Sequence, residues 1–167
     1  MRVVTLFLTL AGAAAAQSTL GSGLTLFRVR PDLVLLLVVT FSIVRGVEEG
    51  ALAGLIGGLM VDCLSAIPFG ASTLIMGAIG LATGLGEDNI YRANVVIPLI
   101  AVFLATILYH SFLMLTLQAA GWSVEWLGTL ALQTVPGAFL NAMLAPLAIP
   151  LVRKMTAPSE ETERMQW

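Results

Sequence analysis

The feature that most constrains this chain is the placement of its charges, because they lie in short clusters between long apolar stretches. The uncharged segment 66–68, which contains Pro68, divides one of these stretches, so that six are counted. Of the 167 residues, 58% are hydrophobic and only 11% are charged, whereas a soluble domain carries roughly 25% charged residues. A helix needs about 20 apolar residues to cross the roughly 30 Å hydrocarbon core of a bilayer. We therefore predict an all-α membrane protein, a bundle of six transmembrane helices. The predicted spans are 3–25, 31–44, 49–65, 69–85, 94–119 and 126–152.

The connections between these stretches are too short to form a domain outside the membrane. We expect one transmembrane domain over residues 1–155 and a polar, mobile cytoplasmic tail over residues 156–167. Lysine and arginine favour the cytoplasmic side of a membrane. With the N-terminus inside, that side holds six of them and the outer side holds two. The six are Arg2, Arg45, Arg92, Arg153, Lys154 and Arg164.

This charge count predicts a multi-pass protein of the bacterial cytoplasmic (inner) membrane with both termini in the cytoplasm. An alternative interpretation of the first residues is a signal peptide that ends near the alanine run 13–16. The topology of the later spans is the same in both cases.

Composition also argues against several classes of function. The net charge of -2 gives no basic face for nucleic acid, since phosphates need lysine and arginine. A zinc site takes three or four Cys, His or carboxylate ligands, and Cys63 and His110 are the only residues of their types. We expect no metal, no cofactor and no catalytic residues.

The third predicted span carries glycines at every fourth position: Gly50, Gly54 and Gly58. At 3.6 residues per turn they lie on one face of a helix, and Gly80 and Gly84 form a similar pair on the fourth span. Small residues let two helices approach closely inside a membrane. The stripe is therefore either a packing face within the bundle or a groove for the helix of a partner.

Asp62 lies one turn beyond the stripe, among apolar neighbours. An ionisable residue at such a depth is expected to face the protein interior and to find a partner. His110 and Gln133 fall at a comparable depth on the fifth and sixth spans. We predict that these three side chains form a buried polar cluster, and the alternative is that each is satisfied separately.

A further group of charges surrounds the start of the second span. Arg28, Arg30 and Asp32 are close in sequence, and the predicted orientation places them on the outer side. They are expected to form a charged collar there, with Asp32 near the positive end of the helix dipole.

Several of these residues resemble the pattern of the MreD family of rod shape-determining proteins. A Pro-Asp pair, Pro31 with Asp32, opens the second span. The glycine-rich third span contains a Gly-Leu-x-x-Asp element over residues 58–62, and a further glycine follows at Gly70. The resemblance extends over nearly the whole chain, and its specific part covers residues 30–84.

The resemblance implies a non-enzymatic scaffold in the machinery that elongates the lateral wall. MreD proteins associate with MreC, in a complex with the actin-like MreB and with RodA and penicillin-binding protein 2. The family is also thought to share its fold with the substrate-binding subunits of energy-coupling-factor transporters. A vitamin-binding subunit of that kind is the alternative function, and Ala11 with Ala15 match its Ala-x-x-x-Ala element. An enzyme is a third class, and the chain shows no cluster of acids and bases to support it.

Overall fold

The computed structural model describes residues 2–20, 31–86 and 96–156, and regular structure within them is entirely helical. Each helix coincides with one predicted apolar stretch, although residues 21–25 of the first stretch lie outside the described residues. The tail predicted from residue 156 lies outside them from residue 157 onward. In the described parts, the six helices are α1 (Arg2–Leu20), α2 (Leu33–Arg45), α3 (Val47–Leu64), α4 (Ala71–Gly84), α5 (Val96–Ala119) and α6 (Trp126–Thr156).

The helices differ in length. Only α5 and α6 among the described segments are both long enough and apolar enough to cross a membrane, and shorter apolar helices lie at Val4–Thr19, Leu33–Arg45 and Ala71–Gly84. A helix of 13 residues such as α2 is about 20 Å long, which is less than the hydrocarbon core of a bilayer. The all-helical architecture is thus established, while the six-span bundle and the energy-coupling-factor fold stay predictions.

Helix α2 lies at the centre of the bundle and contacts each of the other helices. Nine of its 13 residues are buried, including Phe41, Val38 and Val39. A helix that is apolar on every side is stable only when neighbours surround it. The core therefore forms around α2, and the longer helices surround α2 and contribute buried side chains to the same core.

The outer surface of the bundle is apolar. On α5 the exposed side chains recur every three or four residues, and α6 shows the same spacing. Such a continuous apolar surface is unusual for a protein surrounded by water and suits contact with lipid. The exposed residues of these two faces are Ile100, Leu104, Leu108, Phe112, Leu115, Phe139, Met143, Leu147 and Leu151.

Helix α6 passes through one π-helical turn, Leu130–Thr134, in which the N–H of Val135 bonds to the carbonyl of Leu130. The turn ends just before Pro136, which has no N–H to offer the preceding turn, and π turns commonly accommodate such a local mismatch. The sequence predicts a kinked or partly broken helix from its prolines. In the structure the helix is continuous through Pro146 and Pro150, and a kink stays a prediction.

Candidate functional site: the α3–α4 contact and the polar centre

Helices α3 and α4 run antiparallel and touch at successive turns along the glycine stripe. A Cβ atom on Gly50 would lie 2.7 Å from the carbonyl oxygen of Gly80, and one on Gly58 would lie 2.5 Å from that of Ser72. Gly54 faces the backbone of Met76 in the same way. The backbones therefore approach so closely that no side chain larger than hydrogen fits between them.

The same contact includes the predicted pair on α4. Gly80 packs on Gly50, and a Cβ atom on Gly84 would lie 2.6 Å from the Cα of Val47. The hydroxyl of Ser42, on α2, donates a hydrogen bond to the carbonyl of Gly80, so three helices meet at this level. The stripe thus serves packing within the chain. It leaves no groove for a partner helix, because α4 already occupies it.

Asp62 ends the stripe by binding the first turn of α4. Its carboxylate accepts hydrogen bonds from the backbone N–H groups of Gly70 at 3.0 Å, Ser72 at 2.9 Å and Thr73 at 3.0 Å. The hydroxyl of Thr73 donates a fourth bond at 2.7 Å. A negative charge is stabilised at a helix N-terminus, where the N–H groups have no partner inside the helix. Asp62 is 3% exposed and acts as a tether between α3 and α4.

The structure does not bring Asp62, His110 and Gln133 together. Gln133 is exposed on the π-helical turn. His110 uses Nδ1 to bond the carbonyl of Thr106 at 2.9 Å. It is the neighbouring Tyr109 that reaches towards Asp62, since its hydroxyl bonds Ser72 Oγ at 3.2 Å. The cluster is predicted from the similar depth of the three residues in the membrane. Depth does not determine the direction of a side chain, because consecutive residues of a helix point about 100° apart.

The predicted charged collar also differs from what is observed. Arg28 and Arg30 lie outside the described residues. Asp32 is buried, with 8% of its surface exposed, and it caps α2 by accepting the N–H of Leu35 at 3.1 Å. Asp32 lies inside the bundle rather than on an outer rim, since its backbone N–H bonds the side chain of Asn141 on α6.

Asn141 is a central residue that lies outside the predicted cluster. Its side-chain oxygen accepts the backbone N–H of Asp32 at 3.0 Å, and its amide donates to Thr106 Oγ1 at 3.2 Å. One side chain of α6 thereby joins the start of α2 to the middle of α5. A buried amide in an apolar span was the available signal, since such groups are hydrogen-bonded.

A cavity of about 340 Å³ lies beside Asp32. It is bounded by the end of α1, the start of α2, the end of α3 and one side of α5. Polar and apolar groups both face it. The lining residues are Ala14, Gln17, Ser18, Pro31, Asp32, Val34, Val61, Leu64, Ser65 and His110.

Comparison with known families decides what kind of protein this is. The family model of the rod shape-determining protein MreD matches residues 1–157. The chain belongs to the MreD family. No curated protein and no solved structure matches it.

Membership makes this chain a rod shape-determining membrane protein. It also gives the Gly-Leu-x-x-Asp element of this MreD-family chain a structural meaning. Gly58 permits a close approach of α3 to α4, and Asp62, one turn later, binds the N–H groups of the same turn of α4. The element fixes both the spacing and the register of the two helices.

The described residues contain no group of three or more His, Cys, Asp or Glu side chains that could hold a metal ion. Cys63 is exposed, next to the tether of Asp62. The chemistry of the described polar centre is therefore hydrogen bonding and charge, concentrated around Asp62 and Asp32.

Proposed function

We propose that this protein is a non-enzymatic membrane scaffold of the machinery that builds the lateral peptidoglycan wall, and that it binds MreC directly through its membrane-embedded helices. RodA with penicillin-binding protein 2 and MreB belong to the same complex in this proposal. The observation that carries it is the family match over residues 1–157, which includes every described helix. The same match favours the scaffold over a vitamin-binding subunit.

The outer surface supports a partner that lies in the membrane. Exposed apolar side chains cover the outer faces of α5 and α6, and the helix of a partner buries such a surface as readily as lipid does. The proposal places the protein in the cytoplasmic membrane with both termini inside, as the distribution of lysine and arginine indicates.

The glycines guide the choice of a substitution that tests for a partner helix. Gly50, Gly54 and Gly58 are closed off by α4, whereas a Cβ atom on Gly12 of α1 would meet nothing within 4 Å. The substitution Gly12→Leu therefore changes the outer surface without a clash inside the chain. It can report on an interface, which Gly54→Leu cannot do while the fold is intact.

The experiment is co-purification from detergent extracts of the protein's own host. A tagged copy of this chain is expected to retain MreC, and to retain it also when MreC is shortened to its transmembrane segment. An unrelated tagged multi-pass protein serves as the control. Absence of MreC from a stable, folded preparation would reject the assignment of partner.

A further inference from the structure

The cavity beside Asp32 presents hydrogen-bond acceptors on nearly every polar group of its lining, and this selects one kind of ligand. We propose that it binds a primary ammonium group, carried by a lipid headgroup or by a small soluble amine. This function goes beyond the scaffold role and does not depend on MreC.

The hydroxyl protons of the lining are already committed. Ser18 donates to the carbonyl of Ala15 at 2.9 Å, and Ser65 donates to the carbonyl of Val61 at 2.7 Å. A serine that has used its only proton in this way retains two lone pairs and can only accept further bonds. Both hydroxyls therefore offer acceptors to the cavity.

His110 adds a further acceptor. A carbonyl cannot donate, so the bond between Nδ1 and the Thr106 carbonyl, 2.9 Å long, requires a proton on Nδ1. In the tautomer whose single proton is on Nδ1, the other ring nitrogen, Nε2, is an acceptor that faces the cavity. Tyr109 holds the ring in place by an edge contact, with centroids 5.2 Å apart.

Asp32 supplies the carboxyl group. Its Oδ1 accepts the N–H of Leu35, which leaves lone pairs of the carboxylate for the cavity. Gln17 accepts the N–H of Val34 at 3.2 Å through Oε1, and its amide group donates a hydrogen bond to Asp32, which leaves the remaining lone pairs of the carboxylate for a ligand. The described lining contains no lysine or arginine, and a buried carboxylate is costly in an apolar surrounding unless hydrogen bonds or a positive charge stabilise it.

The position of the cavity adds to this argument. His110 lies nine residues before the end of α5 at Ala119, which corresponds to about 14 Å along the helix. In a membrane-spanning helix this is within the apolar layer, where an ionisable residue marks a functional site with a named partner. An ammonium group has three N–H donors and no acceptor, which matches Asp32, His110 Nε2 and the serine oxygens. The volume of about 340 Å³ also falls in the range of small-ligand sites.

The test compares two lipids that differ only in the donor group. The full-length protein in detergent is incubated at pH 8 with phosphatidylethanolamine or with phosphatidylcholine of the same acyl chains, and bound lipid is counted by native mass spectrometry. We expect at least tenfold more phosphatidylethanolamine on the wild-type protein, because the quaternary ammonium of phosphatidylcholine has no N–H. A second arm uses ethylamine against ethanol. Competition by ethylamine shows that the ammonium is what is recognised, and binding of ethylamine alone identifies a soluble amine as the source.

Variants tie the binding to the cavity. Asp32→Asn removes the charge but keeps an oxygen to cap α2. This variant should bind phosphatidylethanolamine no better than it binds phosphatidylcholine. His110→Phe keeps the ring contact with Tyr109 and removes Nε2, and about a fivefold loss is expected. Glu48→Gln, an exposed acid at the other end of the bundle, is the matched control and should change nothing.

Two results would overturn the proposal. One is equal retention of both lipids together with no binding of ethylamine to the folded wild-type protein. The other is an ammonium preference that persists in both Asp32→Asn and His110→Phe. Neither result bears on MreC, so failure of this site and failure of the scaffold role are distinguishable.

Discussion

Asp62 shows how one carboxylate can join two helices. Its four hydrogen bonds reach the first turn of α4, and each is strengthened by the negative charge. The sequence predicts a buried and bonded acid, because an aspartate in an apolar span needs a partner. It does not predict which partner, since the loop over residues 65–70 decides where α4 begins relative to α3.

Substitution of Asp62→Asn is expected to destabilise the protein strongly. The amide keeps one acceptor oxygen but turns an NH₂ group towards backbone donors, and loss of hydrogen bonds to a charge should cost at least about 2 kcal/mol. The measurement is the apparent melting temperature in detergent. Cys63→Ser is the matched control, because Cys63 is adjacent but exposed. Equal melting temperatures for the two variants would contradict the tether.

Asp32 should respond differently to two substitutions. Asp32→Ala removes the cap of α2 and is expected to cost about 1 kcal/mol, whereas Asp32→Asn retains a capping oxygen and should cost only a few tenths. Thermal unfolding in detergent compares the two variants with the wild-type protein. If Asp32→Asn destabilises the protein as much as Asp32→Ala does, the carboxylate is needed for the stability of the fold rather than for binding in the cavity.

At the scale of helices, the paired glycines of α3 and α4 set the distance between the two backbones. The spacing of Gly50, Gly54 and Gly58 predicts a shared face, but it cannot tell packing within the chain from docking of a partner. That distinction depends on where the second stripe lies. In the structure Gly80 faces Gly50 directly, so the two stripes meet each other.

Gly54→Ala and Gly12→Ala make a matched pair at this scale. Alanine is favoured over glycine in a helix by about 1 kcal/mol, so Gly12→Ala, with open space around it, should be neutral or stabilising. Gly54→Ala must push α4 away from α3, which typically costs about 1–3 kcal/mol. Melting curves of both variants in detergent decide the matter, and a more stable Gly54→Ala variant would show that the helices are not in close contact.

At the scale of the whole molecule, the placement of charges and apolar stretches predicts the helices well. Each described helix lies within one predicted span or extends at most a few residues beyond it. The arrangement of the helices is harder to predict, because hydropathy gives length and not neighbours. The unbroken apolar character of α2 was a usable signal for a central position. The cavity was not predictable, since Gln17, Asp32 and His110 are far apart in sequence.

Topology is a prediction at this scale. The excess of lysine and arginine predicts both termini in the cytoplasm, which places the connection between α5 and α6 outside. Reporter fusions test this: alkaline phosphatase should be active when fused after Ser123, and a fluorescent protein should be fluorescent when fused after Met155. Active alkaline phosphatase after Met155 would contradict the model of six spans.

The central claim is that this MreD-family protein binds MreC directly within the membrane. The most direct measurement is reconstitution of the two purified proteins in lipid nanodiscs, followed by size-exclusion chromatography and mass determination. The account predicts a complex of the two proteins that persists when the periplasmic domain of MreC is removed. Separate elution of folded MreC and folded wild-type protein, at concentrations that hold other membrane complexes together, would contradict it.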